Sequence, residues 1–273
     1  MNMKKSMKLL TMLLLLFVVT GCSTLNAVKL RYGLVNEDFE FLKSEDLVSL
    51  IIQNKRDRGF RFIVRDKGTI LDLYGNLSRA KAAETPSAYE PDYVFEFHMI
   101  DGTVREYQYV AGISKQEVGN FYNADTNYRV TGRIDNDIIK NLYSLRRPKY
   151  FDLVYYESLT ELLNGLRAEY QGQGIGIRIH NDVDVLRYQL SREVEAFRES
   201  LNGIGAVLLE DGQKTDIVLE VKTQGYKTNV FKAIVSLKNN SDFSTRKFYI
   251  YGLYGNNISK WDITITEEKP EGF

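Results

Sequence analysis

The sequence predicts an α+β protein made of two modules of mixed, mostly antiparallel sheet with packed helices. Three observations predict it. Short β-rich runs of alternating apolar residues recur along most of the chain, helical spacing interrupts them only a few times, and Arg146-Arg147-Pro148 breaks the pattern near the middle. The strict strand–helix alternation of a doubly wound parallel sheet is missing. The 273 residues suffice for one large domain or two small ones, and 44% hydrophobic with 12% aromatic residues excludes a disordered or collagen-like chain.

In the first module, residues 41–147, Leu47–Gln53 and Phe60–Arg65 read as a hairpin around a charged loop. Asp66 is placed to cap a helix over 68–83, where Ile70, Leu73, Leu77 and Ala80 recur at helical spacing. Pro86 and Pro91 mark an extended connection. Tyr93–Met99 and Thr103–Val110 flank Asp101-Gly102, a strong hairpin signal because the turn needs positive φ at glycine. One short strand is expected within Tyr122–Thr131. A helix is expected over Ile134–Leu145, with Ile138, Ile139, Leu142 and Leu145 on one face and Asp135 near its start.

The second module, residues 149–266, opens with a predicted strand at Tyr150–Tyr156 and a helix at Ser158–Tyr170, stopped by Gly172-Gln173-Gly174. Ile175–Ile179 reads as a strand with one buried face. Asp182 is placed to cap a helix over Val183–Asn202, whose apolar stripe includes Val183, Leu186, Leu190, Val194, Phe197 and Leu201. Strands are expected at Val207–Leu209, Asp216–Thr223, Val230–Leu237, Lys247–Tyr254 and Asp262–Thr266, before a polar, fraying tail at 267–273. Residues 70–79 and 183–192 echo each other at an offset of 113, which leaves an internal duplication open as a minor alternative.

The N-terminus carries an address. Lys4, Lys5 and Lys8 precede an apolar stretch, Leu9–Val19, with no acidic residue in 1–21 and small residues at its exit. That is the build of a secretory signal, too short for a typical membrane span. The only cysteine follows at once, which excludes an intramolecular disulfide and any multi-cysteine metal site. Val19-Thr20-Gly21-Cys22 resembles the lipobox of bacterial lipoproteins: an aliphatic residue, a small residue, Gly or Ala, then Cys. The resemblance implies a diacylglyceryl group on the Cys22 thiol and cleavage after Gly21. Two acyl chains hold a protein stably at a membrane where one holds it marginally. An ordinary exported protein with a buried cysteine, or an uncleaved anchor, is the alternative. Residues 22–40 would be a lipidated tether, and an extended tether of this length reaches roughly 60 Å. Losing residues 1–21 removes three Lys and no acid and turns a neutral chain into one of net charge −3. The expected location is the outer face of the cell membrane, or the outer membrane in a Gram-negative cell, given Ser23.

Across residues 47–145, the strand Phe60–Arg65, Ala80-Lys81-Ala82, Pro91-Asp92-Tyr93, Asp101-Gly102 and Glu106-Tyr107 resemble a small α/β module of Gram-positive lipoproteins, whose function is unsettled. The matching residues are structural, so the likeness implies a fold and an address and carries over no site.

Chemistry is thin. His98 shares a strand face with Glu96, but one pair is no triad. His180-Asn181-Asp182-Val183-Asp184 has metal-ligand atoms at close spacing, yet too few oxygens for Ca²⁺, and helix capping explains it better. Gly172-Gln-Gly-Ile-Gly176 follows a helix and enters a strand, the reverse of a dinucleotide loop. Glu210-Asp211 and Glu267-Glu268 are adjacent acids on a turn and in the tail, where solvation is the usual fate, and a glycosidase pair would have to face across a cleft at about 5–10 Å. The 18 Tyr and 14 Phe cluster near the predicted sheets, as core filler or as a binding surface for protein or glycan. Charge neutrality argues against nucleic acid and other polyanions as partners.

No catalytic, metal or cofactor residue is therefore expected; Cys22, with cleavage after Gly21, is the one site the sequence points to. The expected function is a membrane-anchored, extracytoplasmic, non-catalytic binding or assembly module of the cell envelope, with an envelope protein or glycan as partner. The alternatives are a carboxylate-dependent envelope hydrolase and an envelope-sensing regulator.

Overall fold

The computed structural model describes residues 35–113, 115, 118–139 and 147–273, and they divide into two units. Residues 35–53 and 61–139 belong to the first, and 54–60 and 147–273 to the second. Each carries a mostly antiparallel sheet with helices, an α+β arrangement. Residues 1–21 and most of the 22–40 tether lie outside the described residues. No helix among the described residues is long and apolar enough to cross a membrane.

The first sheet comprises Leu47–Asn54 (β1), Arg61–Val64 (β2), Lys81–Ala82 (β3), Tyr93–Met99 (β4), Val104–Tyr109 (β5), Phe121–Tyr122 (β6) and Asn127–Arg129 (β7). Their order is β2-β1-β4-β5-β6-β7-β3. The β1–β2 hairpin pairs Leu50 with Val64 and Gln53 with Arg61. Gly102, at φ 86°, turns β4 into β5. Asp66 does cap its helix, accepting from the Thr69 backbone N–H at 2.8 Å. That helix, Lys67–Leu77 (α1), stops well short of residue 83, because Lys81 and Ala82 pair instead with Arg129 and Tyr128 of β7. Two strands replace the one expected within Tyr122–Thr131: Asn123 Oδ1 accepts from the backbone N–H groups of Asp125 and Thr126, and this Asx turn folds the run back on itself. The helix expected from Ile134 is a wide π-type turn over Ile134–Ile139; the rest of that expectation lies outside the described residues.

Aromatic rings fill the first core. Tyr107 stacks on Phe121 at 4.9 Å, Phe39 meets Tyr128 edge-on at 5.0 Å, and Phe95 meets Phe121 at 5.4 Å. Offset and edge-on contacts of this kind add to the stabilisation from burial alone. Phe39 comes from a 3-10 turn, Glu37–Lys43, whose apolar residues face the core.

The second sheet comprises Ile175–Arg178 (β8), Ala206–Leu208 (β9), Ile217–Lys227 (β10), Val230–Asn239 (β11), Thr245–Gly255 (β12) and Lys260–Thr266 (β13). Their order is β13-β12-β11-β10-β8-β9, antiparallel except where β8 pairs in parallel with β10 and β9. Ser158–Arg167 (α2) and Ser191–Gly203 (α3) contribute Leu159, Leu163, Phe197 and Leu201 to its buried core.

Three expectations fail here. Tyr150–Tyr156 is not a strand: Leu153–Glu157 form a π-type turn that runs directly into α2. Aromatic and branched residues favour strands, but Phe151, Val154, Tyr155 and Leu159 fall at helical spacing and are buried, so tertiary packing overrides propensity. The Ser158 hydroxyl donates to the carbonyls of Val154 (2.7 Å) and Tyr155 (3.0 Å) inside the wide turn. Nor does Asp182 cap a long helix. Only a 3-10 turn, Leu186–Tyr188, precedes α3, and Val183 is 65% exposed. The stretch 183–190 is therefore not the counterpart of α1, and the internal echo has no helical basis. Finally, β8 is covered on both sides along Ile175–Ile177, because Leu209 covers Gly176, and Arg178 is its one partly exposed residue.

Asp182 is spent in the interior. Its carboxylate accepts from the Thr223 N–H and hydroxyl, both at 2.8 Å, and from the Tyr155 hydroxyl at 3.0 Å. These bonds tie the loop after β8 to β10 and to the turn before α2. Removing the acceptor strands three buried donors, so Asp182→Ala should lower unfolding free energy by about 2–4 kcal/mol in urea denaturation. Burial pushes this carboxyl above its ordinary pKa against the pull of those bonds. Its protonated form therefore favours the fold: the contribution is full below the unfolded pKa, about 4, and is lost as pH rises through the folded value. Asp182→Asn should flatten stability against pH across that window. A second check concerns Gly176, where a Cβ would meet Leu209 Cγ and Cδ1 at 2.6 Å. Gly176→Ala should cost about 1–3 kcal/mol, and a Leu209→Ala background should absorb part of that cost in a double-mutant cycle.

Candidate functional site

With α2 and α3 on one face of the second sheet, alternation turns the other set of side chains outward. The register lines these up in rows. Lys247, Ser236, Glu220 and Arg178 form one row across β12, β11, β10 and β8; Thr245, Lys238 and Val218 form the next; Tyr249, Ile234 and Lys222 a third. This face is polar because its residues alternate with the buried Val221, Val235, Leu237 and Ile250 on the same strands.

A depression of about 810 Å³ opens on this face. Val218 and Ser236 are among its lining residues, together with Lys214, Thr215, Asn240 and Phe243 from the connections beside the strands. Phe243 sits in the β11–β12 turn with φ 59° and is 77% exposed, an unusual position for a large ring. Cations dominate the lining: Arg178, Lys214, Lys238, Arg246 and Lys247 against Glu220. Arg246 is neutralised, held between Glu169 and Glu267 at 2.5 Å each, which keeps its guanidinium firmly protonated and pulls Glu267 below the ordinary carboxylate range. Arg178 pairs with Glu220 at 3.4 Å and donates to the Gln213 carbonyl. Lys214, Lys238 and Lys247, and Lys222 further along the face, carry no ion pair among the described residues. Asp242 is near in sequence but turns its carboxylate to the Ser244 N–H at 2.9 Å.

The same face carries the tail. Expected to fray, it instead lies against β12: the Phe273 ring meets Tyr249 edge-on at 5.2 Å, and Lys232 Nζ donates to the Gly272 carbonyl at 2.6 Å. The terminal ring supplies apolar contact that a polar reading of residues 267–273 overlooks.

The residues singled out from sequence fall elsewhere. Cys22 and Gly21 lie outside the described residues. His98 Nε2 is 3.0 Å from Glu96 Oε2, which also has Arg61 at 3.7 Å, on the half-buried face of the first sheet. His180 Nε2 lies 2.6 Å from Asp211 Oδ1, while Asp182 faces inward to Thr223 and Tyr155, so the 180–184 cluster does not converge. Among the described residues no group of three or more His, Cys, Asp or Glu could hold a metal ion. Glu210 pairs with Arg198 at 2.8 Å. Gly172 takes φ 78° in the turn after α2, and Gly176 belongs to β8. Most of the tyrosines noted near the first sheet are core: Tyr107, Tyr109 and Tyr128 are buried.

A second concavity, about 720 Å³, runs along α2 and α3. Its lining includes Asp152, Glu157, Glu161 and Glu193 with Arg192, beside Leu153, Tyr156 and Phe197. The π-type turn supplies part of this wall, and such turns recur at functional sites.

Neither curated proteins nor solved structures give a match to this chain. Over residues 43–148, which span the described first sheet, a domain of the family described as YhfM protein is found, a small domain of unsettled function.

Proposed function

We propose that the chain is a membrane-anchored, extracytoplasmic lipoprotein acting as a non-catalytic binding or assembly module of the cell envelope. The observation that supports it most is the outward face of the second sheet. That face offers a concave floor, an exposed ring and lysines free of ion pairs, which are means of recognition and not of bond cleavage. The carboxyl that burial perturbs most visibly, Asp182, is sealed in the core with three donors and is out of reach of any ligand. Lipid at Cys22 would hold this face at high local concentration near its partner.

One observation favours the hydrolase reading: four carboxylates line the groove along α2 and α3. A glycosidase needs two of them across a cleft. Incubation with isolated cell-wall glycan separates the readings. The binding reading expects no release of reducing ends; release that Glu157→Gln or Glu161→Gln abolishes would replace it with the hydrolase.

The anchor is tested by feeding cells an alkyne-bearing fatty acid. The chain should take up the label and its mature N-terminal peptide should begin at a modified Cys22. Cys22→Ala should take up none. An unlabelled wild-type chain, or a labelled Cys22→Ala chain, would remove the anchor from the reading.

A further inference from the structure

We propose that the depression on the outward face of the second sheet binds a phosphodiester-linked polyanion, a polyol or glycan chain bearing successive phosphates. The inference rests on the binding reading above and names the ligand class.

Charge placement carries it. The whole chain is neutral, with 36 basic and 36 acidic residues, so a run of lysines without ion pairs on one face is a local segregation of charge and not an average property. Lys214, Lys238 and Lys247 are exposed, and their ammonium groups are unneutralised, while the one carboxylate in the lining, Glu220, is engaged with Arg178. Geometry adds a spacing. Lys238 faces Thr245 across β11 and β12, so Lys247 lies one strand over and two residues along. Strand separation and rise put those Cα atoms about 8 Å apart. Flexible lysine stems starting at that spacing can each meet one of two phosphates joined by a short polyol linker. Ser236, directly across from Lys247, offers a hydroxyl for a linker hydroxyl, and Phe243 offers an apolar edge for a sugar face. A linear chain can enter this concave floor, whereas a flat bilayer surface would rest on its rim, so the polymer is favoured over a lipid headgroup layer. Binding by neutralisation of phosphates releases counterions and weakens with salt.

The test uses the chain from residue 22 with Cys22→Ser, which retains every described residue, and fluorescently labelled poly(glycerol phosphate). The polymer should bind, and binding should weaken about tenfold between 50 and 200 mM salt, the slope expected for two or three neutralised phosphates. Lys238→Glu with Lys247→Glu should weaken it at least tenfold. Lys67→Glu, at the start of α1 in the first unit, should leave it unchanged. Both tested lysines are exposed, and unchanged thermal melting will confirm that the charge-reversed chain is folded.

Three results, besides an absence of polymer binding, overturn the proposal. One is equal affinity for dextran sulfate of matched charge, which would mean undifferentiated attraction. Another is preference for phosphatidylglycerol vesicles over the polymer, which would assign the face to a lipid surface. The last is no loss of polymer binding in the charge-reversed variant. Failure here is separable from failure of the binding reading: retention of the chain by cell wall stripped of phosphodiester polymer, with no affinity for the polymer itself, rejects the anion assignment alone. Loss of retention by intact and stripped wall alike rejects both.

Discussion

In both units, buried tyrosines whose hydroxyls donate to carboxylates tie together segments distant in sequence. In the first, Tyr128 donates to Asp38 and Tyr109 to Asp135, each at 2.7 Å, and the half-buried Tyr74 donates to Glu40 at 2.6 Å nearer the surface. Each bond joins a strand or helix to a segment distant in sequence, so phenols as well as apolar contacts hold the 3-10 turn at 37–43 and the π-type turn at 134–139. Burial and the facing carboxylate both push the Tyr109 hydroxyl well above its ordinary pKa, so it stays a donor throughout the physiological range. In the second unit Tyr155 and Asp182 play the same part more deeply, with Thr223 completing the carboxylate's set.

That interior commitment explains the division of labour in the second unit. Asp182 reads from sequence as a capping residue or metal ligand because it sits between polar neighbours at the start of an apolar stripe. Its real partners lie 27 and 41 residues away, at Tyr155 and Thr223, and no local pattern announces them. With the core on the helical side of the sheet, the outward side is left to residues whose only local duty is to alternate with buried ones. That freedom is what lets lysines gather there.

Strands were the legible part. Alternation located β10 to β13 and the β4–β5 hairpin within a few residues, because a sheet with one wet face writes period two into the chain. The turn at Leu153–Glu157 was hidden by its own composition, since tyrosine and valine favour strands while their spacing of three and four favours a helix. The cationic depression was invisible for a different reason. Lys214, Lys238 and Lys247 are scattered along 34 positions, and total charge, which argued against any polyanion, is blind to where charges land. The address proposed at Cys22 is the converse: it is read from contiguous residues and concerns a part of the chain outside the described residues.

The sheet order has one more consequence. If lipid at Cys22 holds the chain on a surface, it meets copies of itself constantly, and open strand edges are templates for pairing between chains. In the second sheet one edge, β9, is only three residues long. The other, β13, opens with Lys260 and Asp262 both exposed, and beyond its last residue Glu267 is clamped by Arg246. A short edge and a charged one give a neighbouring chain little to extend, so crowding need not lead to fibres.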